Sequence, residues 1–109
     1  MEWTLDQPHP DSRGSRRYFT LASSPTENNI RIGVKFNLPQ STYKKALAAL
    51  NPGDQISVFS VAGDFVLPSD GNTKLVFIAG GIGITPFRSM LKYLQDTNQK
   101  RDIIVLYSN

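Results

Sequence analysis

Residues 75–91 read LVFIAGGIGITPFRSML, and the rest of the chain falls into place around them. An apolar strand over residues 75–79 runs into a turn holding Gly80, Gly81 and Gly83, and an amphipathic helix follows. Thr85 stands where an N-cap belongs and Pro86 where the first helical residue belongs. Phe87, Met90, Leu91 and Leu94 then recur at i, i+3, i+4 and i+7, which predicts one buried helix face. A strand, a turn without side chains and the bare N–H groups of a helix start make a cradle for an anion. Phosphate meets the backbone closely there, at the positive end of the helix dipole. The pattern points to a nucleotide pyrophosphate.

Measured against the dinucleotide fingerprint G-x-G-x-x-G, Gly81 and Gly83 match, while Pro86 occupies the place of the third glycine. The next strand, predicted over residues 103–107, ends in Ser108 and Asn109 rather than in an acid. No Gly-Lys-Ser/Thr follows, so the turn is not a P-loop. A tight βα connection with no ligand is the competing reading.

At 109 residues the chain is on the scale of one ordinary domain. Its formal charge of +3 comes from scattered pairs such as Arg16-Arg17, Lys44-Lys45 and Lys100-Arg101. Nucleic-acid binding needs a clustered basic face, so no nucleic-acid partner is expected. The absence of cysteine excludes disulfides and cysteine-ligated zinc or iron–sulfur centres within these residues. His9, the only histidine, lies in a Pro-rich loop without a second ligand at metal spacing, so no metal site is expected. The longest apolar stretch, residues 75–87, is interrupted by glycines and shorter than the ~20 residues of a membrane span. The first residues are polar and lack a secretory signal, so a cytoplasmic chain with no membrane insertion is expected.

Short strands are predicted over residues 3–5, 16–23, 30–36 and 56–61, with a short segment at 65–67. Residues 43–50 (YKKALAAL) read as a helix that Ser41 or Thr42 caps and that Asn51-Pro52-Gly53-Asp54 ends. A polar turn cluster at 68–73 (PSDGNT) reads as a linker. It divides residues 1–70, an antiparallel β-barrel or sandwich, from residues 71–109, the opening βαβ of a parallel sheet. The expected fold is therefore mixed β and α/β. A lone βαβ covers one face of its sheet, so this unit reads as incomplete, with an open edge through which two copies could pair.

RYFTLAS (17–23), GDF (63–65) and GGIGITP (80–86), in that order, resemble the ferredoxin–NADP⁺ reductase superfamily. In that family a flavin-binding barrel precedes an NAD(P)-binding α/β domain, and STYKKALAALNPGD is similar to the family's phosphate-side helix and following loop. The resemblance covers essentially the whole chain. It implies an oxidoreductase module that passes hydride from NAD(P)H to FAD, or to FMN, and delivers electrons to a protein or membrane-associated acceptor.

By the same resemblance, Arg17 would neutralise the flavin phosphate and Phe19 would stack on the isoalloxazine ring where a tyrosine is usual. Tyr18 is expected on the other face of the strand, reaching the flavin only if the strand bulges. Thr20 would meet flavin N5. Ser41 and Thr42 would face the diphosphate, and Gly63 and Phe65 match the family's G-x-F. Gly80, Gly81, Gly83 and Pro86 would form the pyrophosphate turn, Thr85 would stand beside the nicotinamide, and Asn109 would lie near the adenosine ribose. Thr20 and Thr85 are thus the residues expected nearest the chemistry. The family pattern also implies barrel strands before Met1 and more of the α/β domain after Asn109, so weak flavin binding and slow turnover are expected of these residues alone. A non-catalytic nucleotide-binding or interaction fragment is the alternative.

Overall fold

The computed structural model describes all 109 residues and divides into two units. The first comprises Met1–Phe19 and Lys35–Ala62; the second comprises Thr20–Val34 and Gly63–Asn109.

In the first unit, β1 (Glu2–Thr4), β2 (Arg16–Tyr18), α1 (Thr42–Ala48) and β3 (Ser57–Phe59) surround a small apolar centre. The sheet is antiparallel with order β2-β1-β3, pairing Trp3 with Arg17 on one side and with Val58 on the other. Ser41 caps α1 by accepting from the Lys44 N–H at 3.3 Å. Asn51 and Asp54 close the turn beyond it, with Gly53 at φ +101°. Tyr43 is 1 % exposed and donates its hydroxyl to Trp3 O at 3.0 Å. Phe19 packs on both Trp3 and Tyr43.

Two expected strands are shorter here. The run 16–23 is a strand only through Tyr18, because its partner β1 is exhausted at Met1, which exchanges bonds with Phe19. The run 56–61 reduces to β3, ended by Ser60 in the left-handed region at φ +43°.

The second unit holds β4 (Leu75–Gly80), a 3₁₀ turn over Gly81–Ile84, α2 (Thr85–Asp96) and β5 (Ile103–Ser108). β4 and β5 are parallel, with Leu75 level with Ile103 and Gly80 level with Ser108. This is the predicted βαβ unit. Alternation along β4 sends Phe77 and Ala79 toward α2, and Phe77 stacks on Phe87 at 4.5 Å. Met90 and Leu91 pack against this core and Leu94 is buried, so the helix face read from spacing is the one that packs. Val76 and Ile78 of β4, with Ile104 and Leu106 of β5, are exposed.

Residues 30–36 do not form the expected strand. Their only ladder contact is a bridge between Leu21 and Ile32, beside the bond from Ala22 N–H to Arg31 O. Alternation selects a face, but a strand also needs a partner along its length, and this segment has one for a single step. Residues 65–67 likewise form no strand. The turn cluster at 68–73 belongs to this unit and is fastened by Arg101, which donates to Pro68 O and Asp70 O.

Candidate functional site

Both parallel strands end at the same edge, where Gly80 pairs with Ser108, so Gly81 and Asn109 leave the sheet side by side. Gly81 adopts φ +48°, a conformation that costs other residues about 1–2 kcal/mol. A Cβ placed at Gly80, Gly81 or Gly83 would meet nothing within 4 Å. The glycines therefore leave open space, as an approaching ligand requires, rather than relieving a clash within the protein.

The 3₁₀ turn moves the helix start. Ile84 rather than Thr85 occupies the cap, no side chain caps it, and Thr85 is already helical. The expected N-cap role of Thr85 is thus corrected: its hydroxyl donates back to Ile82 O at 3.1 Å. Pro86 sits in the first turn, where its missing N–H costs nothing. No side chain caps α2; the Thr85 N–H donates to Ile82 O and Pro86 has no N–H, so what the helix start offers an anion is chiefly the positive end of its dipole.

Thr85 has a close neighbour that the sequence reading did not single out. A Cβ at Gly33 would stand 2.6 Å from Thr85 Cγ2 and 2.8 Å from Ile82 Cδ1. Gly33 thus passes directly against the side chains of Ile82 and Thr85. Continued one residue from the Leu21–Ile32 bridge, the antiparallel register would bring Thr20 level with Gly33. Thr20 is exposed. Gly63, at φ +140°, precedes Phe65, which is largely exposed and meets the Phe87 ring edge-on at 5.5 Å.

In the first unit, Tyr43 gathers several of the predicted flavin-side residues. The Arg17 guanidinium lies 4.9 Å from the Tyr43 ring centre, over its face, and Phe19 lies 6.0 Å away. Arg17 is engaged: Nη2 donates to Asp11 Oδ1 at 2.5 Å, and Nη1 faces the carbonyls of Arg13, Gly14 and Arg16 at 3.0, 2.9 and 2.6 Å. The hydrogen bond from Arg17 holds the Asp11 carboxyl below its ordinary range. Burial pushes the Tyr43 phenol up, against the opposing charge of Arg17. Tyr18 is 75 % exposed and turned away, as strand alternation requires, with Glu2 raising its phenol by hydrogen bonding. Ser41 Oγ serves as the helix cap, while the buried Thr42 Oγ1 has no partner.

Tyr43 carried a signal in its spacing with Ala46, Leu47 and Leu50, which marks an apolar helix face. Glu27 and Arg88 carried none, because 61 residues separate them. Their pairing ties residues 20–34 to α2. Arg88 Nη1 donates to Glu27 Oε2 at 2.6 Å and to Ala22 O at 2.7 Å, and Nη2 donates to Glu27 Oε1 at 2.9 Å. The Arg88 bonds, helped by the Ser24 N–H, lower the Glu27 carboxyl from 4.5 to about 2.

Residues 77–109 match the family model described as oxidoreductase NAD-binding domain. The chain is 36 % identical over 100 residues to a flavohemoprotein of Bacillus subtilis, covering 91 % of this chain and 25 % of that protein. It is 34 % identical over 98 residues to a flavohemoprotein of Halalkalibacterium halodurans, covering 84 % and 24 %. Flavohemoprotein B of Dictyostelium discoideum is 30 % identical over 109 residues, covering 95 % and 26 %. The chain thus spans about a quarter of the length of these relatives. The crystal structure of a flavohemoglobin from Malassezia yamatoensis, with bound FAD and heme, shares the fold at TM-score 0.73 and 21 % identity, covering 99 % of this chain and 28 % of that one. The matched domain, the relatives and the shared fold all fit the ferredoxin–NADP⁺ reductase-like superfamily.

Proposed function

We propose that this chain is the hydride-receiving part of a flavin-dependent NAD(P)H oxidoreductase, with residues 1–70 serving the flavin and residues 71–109 the nicotinamide nucleotide. The observation that carries the proposal is the open glycine turn at the carboxyl ends of two parallel strands, inside the segment that matches an NAD-binding domain. Bound flavin would supply the redox chemistry, accepting hydride at N5 and releasing electrons to an acceptor.

The chain's own residues have the task of binding and orienting. Gly80, Gly81 and Gly83 admit the pyrophosphate, and the start of α2, with Pro86 in its first turn, faces it with positive dipole. Thr85 lies beside the nicotinamide and Asn109 near the adenosine ribose. With no acid at Ser108 or Asn109, the sequence supports NADPH as readily as NADH. Thr20 is proposed next to flavin N5, Phe19 along the ring side, and Gly63 and Phe65 at the end of the barrel, while Tyr18, on the other face of an unbulged strand, takes no part. Ser41 and Thr42 are proposed on the diphosphate side, where the unpartnered Thr42 hydroxyl fits an acceptor or donor still to come.

Arg17 fits the flavin phosphate in charge and shape, and Asp11 would have to yield its place as the present counter-ion. The relatives' names join flavin and heme, which favours a heme-containing electron acceptor. No helix is long and apolar enough to cross a membrane.

Thermal shift with FAD, FMN, NADH and NADPH in parallel tests this reading. A rise in melting temperature with one flavin and one nicotinamide nucleotide is expected. Stabilisation by nucleotide alone would favour a non-catalytic nucleotide-binding module instead.

A further inference from the structure

We infer that the Arg88–Glu27 pair is a positioning device that sets Thr20 and Thr85 relative to each other, an inference that rests on the reductase reading. The pair bridges the two stretches of chain that carry those threonines. Arg88 lies three residues beyond Thr85, one turn along α2, and its guanidinium holds Ala22 O, two residues beyond Thr20. The fork is bidentate on Glu27, whose Oε2 also accepts the Ser24 N–H at 2.8 Å, and Arg31 Nε stands 3.7 Å from Oε1. Glu27 therefore ties its own loop together and to the helix at once.

Two more links run parallel to this one. Ser89 Oγ donates to Ser23 O at 2.7 Å, and Thr26 Oγ1 donates to Asp96 Oδ2 at 2.5 Å. All three links join residues 22–27 to one side of α2, spaced from its first turn to its last residue. The place they secure is where Gly33 passes Thr85 Cγ2 and Ile82 Cδ1 with no room for a Cβ. A planar fork suits this role, since its parallel N–H pair matches both carboxylate oxygens in one fixed orientation, which the rotatable donors of an ammonium do not impose.

Hydride transfer depends steeply on such spacing. Reacting atoms must stand about 3–3.5 Å apart, and an error of ~1 Å costs about a hundredfold in rate. Arg88 and Glu27 touch neither ligand in this account; they act through the threonines.

The test compares the flavin-loaded protein with Arg88→Leu, Arg88→Lys and Glu27→Gln, and with Ser89→Ala as the mildest change. Each is mixed anaerobically with NADH or NADPH, and the saturating rate of flavin bleaching is read apart from the nucleotide dissociation constant. Amide hydrogen exchange over residues 22–31 supplies a readout independent of turnover. We expect the saturating rate to fall about ten- to a hundredfold in Arg88→Leu and Glu27→Gln. Nucleotide affinity should change less than about threefold, flavin should stay bound, and exchange over 22–31 should quicken. Arg88→Lys should recover only part of the rate. Should Arg88→Leu fail to fold, Glu27→Gln and Ser89→Ala carry the same comparison. Unchanged bleaching rates beside faster exchange would overturn the inference and leave the reductase reading standing. Absence of bleaching in the unsubstituted protein would remove both.

Discussion

Tyr43 does for the first unit what no other side chain there does: it fills the centre and closes a hydrogen bond to the backbone of β1. Tyr43→Phe keeps the ring and leaves Trp3 O without its donor, so a loss of about 1–3 kcal/mol is expected from urea unfolding. Glu27 is distinctive for its charge. Its folded value of about 2 lies below its ordinary 4.5, so the stability it contributes is complete above about pH 4.5 and disappears as pH falls toward 2. Arg88, the Ser24 N–H and Arg31 are the groups that hold it ionised, and Asp96 lies on the same helix face. Acid unfolding followed by far-ultraviolet circular dichroism should begin at higher pH in Arg88→Leu than in the unsubstituted protein. The residue contacts that matter most here were not legible in the sequence. Arg17 read as a free phosphate ligand, and its clasp by Asp11 depends on a loop whose path composition does not specify.

Elements built on local pattern were legible. β4, β5 and α2 follow from an apolar run, a second apolar run and a 3.6-residue repeat, and the helical crossover between the strands carries the chain back for parallel pairing. α1 and its Ser41 cap follow from equally local rules. Elements that depend on a distant partner were overread, as with residues 30–36, where alternation persists while the ladder stops after Ile32. The start of α2 was misplaced because a 3₁₀ turn and an α-helix share their first-turn residues, and the change of pitch leaves no mark in composition. If the glycine turn binds nucleotide as proposed, substitution there should separate ligand binding from folding. Gly83→Val adds a side chain to open space at ordinary φ, so melting temperature should change little. NAD(P)H affinity measured by nucleotide fluorescence should nevertheless weaken at least about tenfold, or ~1.4 kcal/mol. In α2, Phe87→Ala removes the ring stacked on Phe77, and a cost of about 3–5 kcal/mol is expected by chemical denaturation.

Across the whole molecule, unpartnered buried polar atoms gather in one unit and exposed apolar side chains in the other. The first unit carries five buried polar side-chain atoms without partners, among them both ends of the Gln7 amide and the Thr42 hydroxyl. The second exposes Val76, Ile78, Ile104 and Leu106 on the sheet face away from α2. Ile78→Lys is expected to raise the solubility limit while changing stability by no more than about 0.5 kcal/mol, since the side chain is 72 % exposed. We propose that one chain holds a flavin and a nicotinamide nucleotide close enough for hydride to pass. Anaerobic addition of NADH, and separately NADPH, to the flavin-saturated protein tests it directly, with the flavin's visible absorbance as the signal. Bleaching that saturates with nucleotide and weakens in Gly83→Val is expected. Full retention of the oxidised flavin spectrum, with both ligands demonstrably bound, would contradict it.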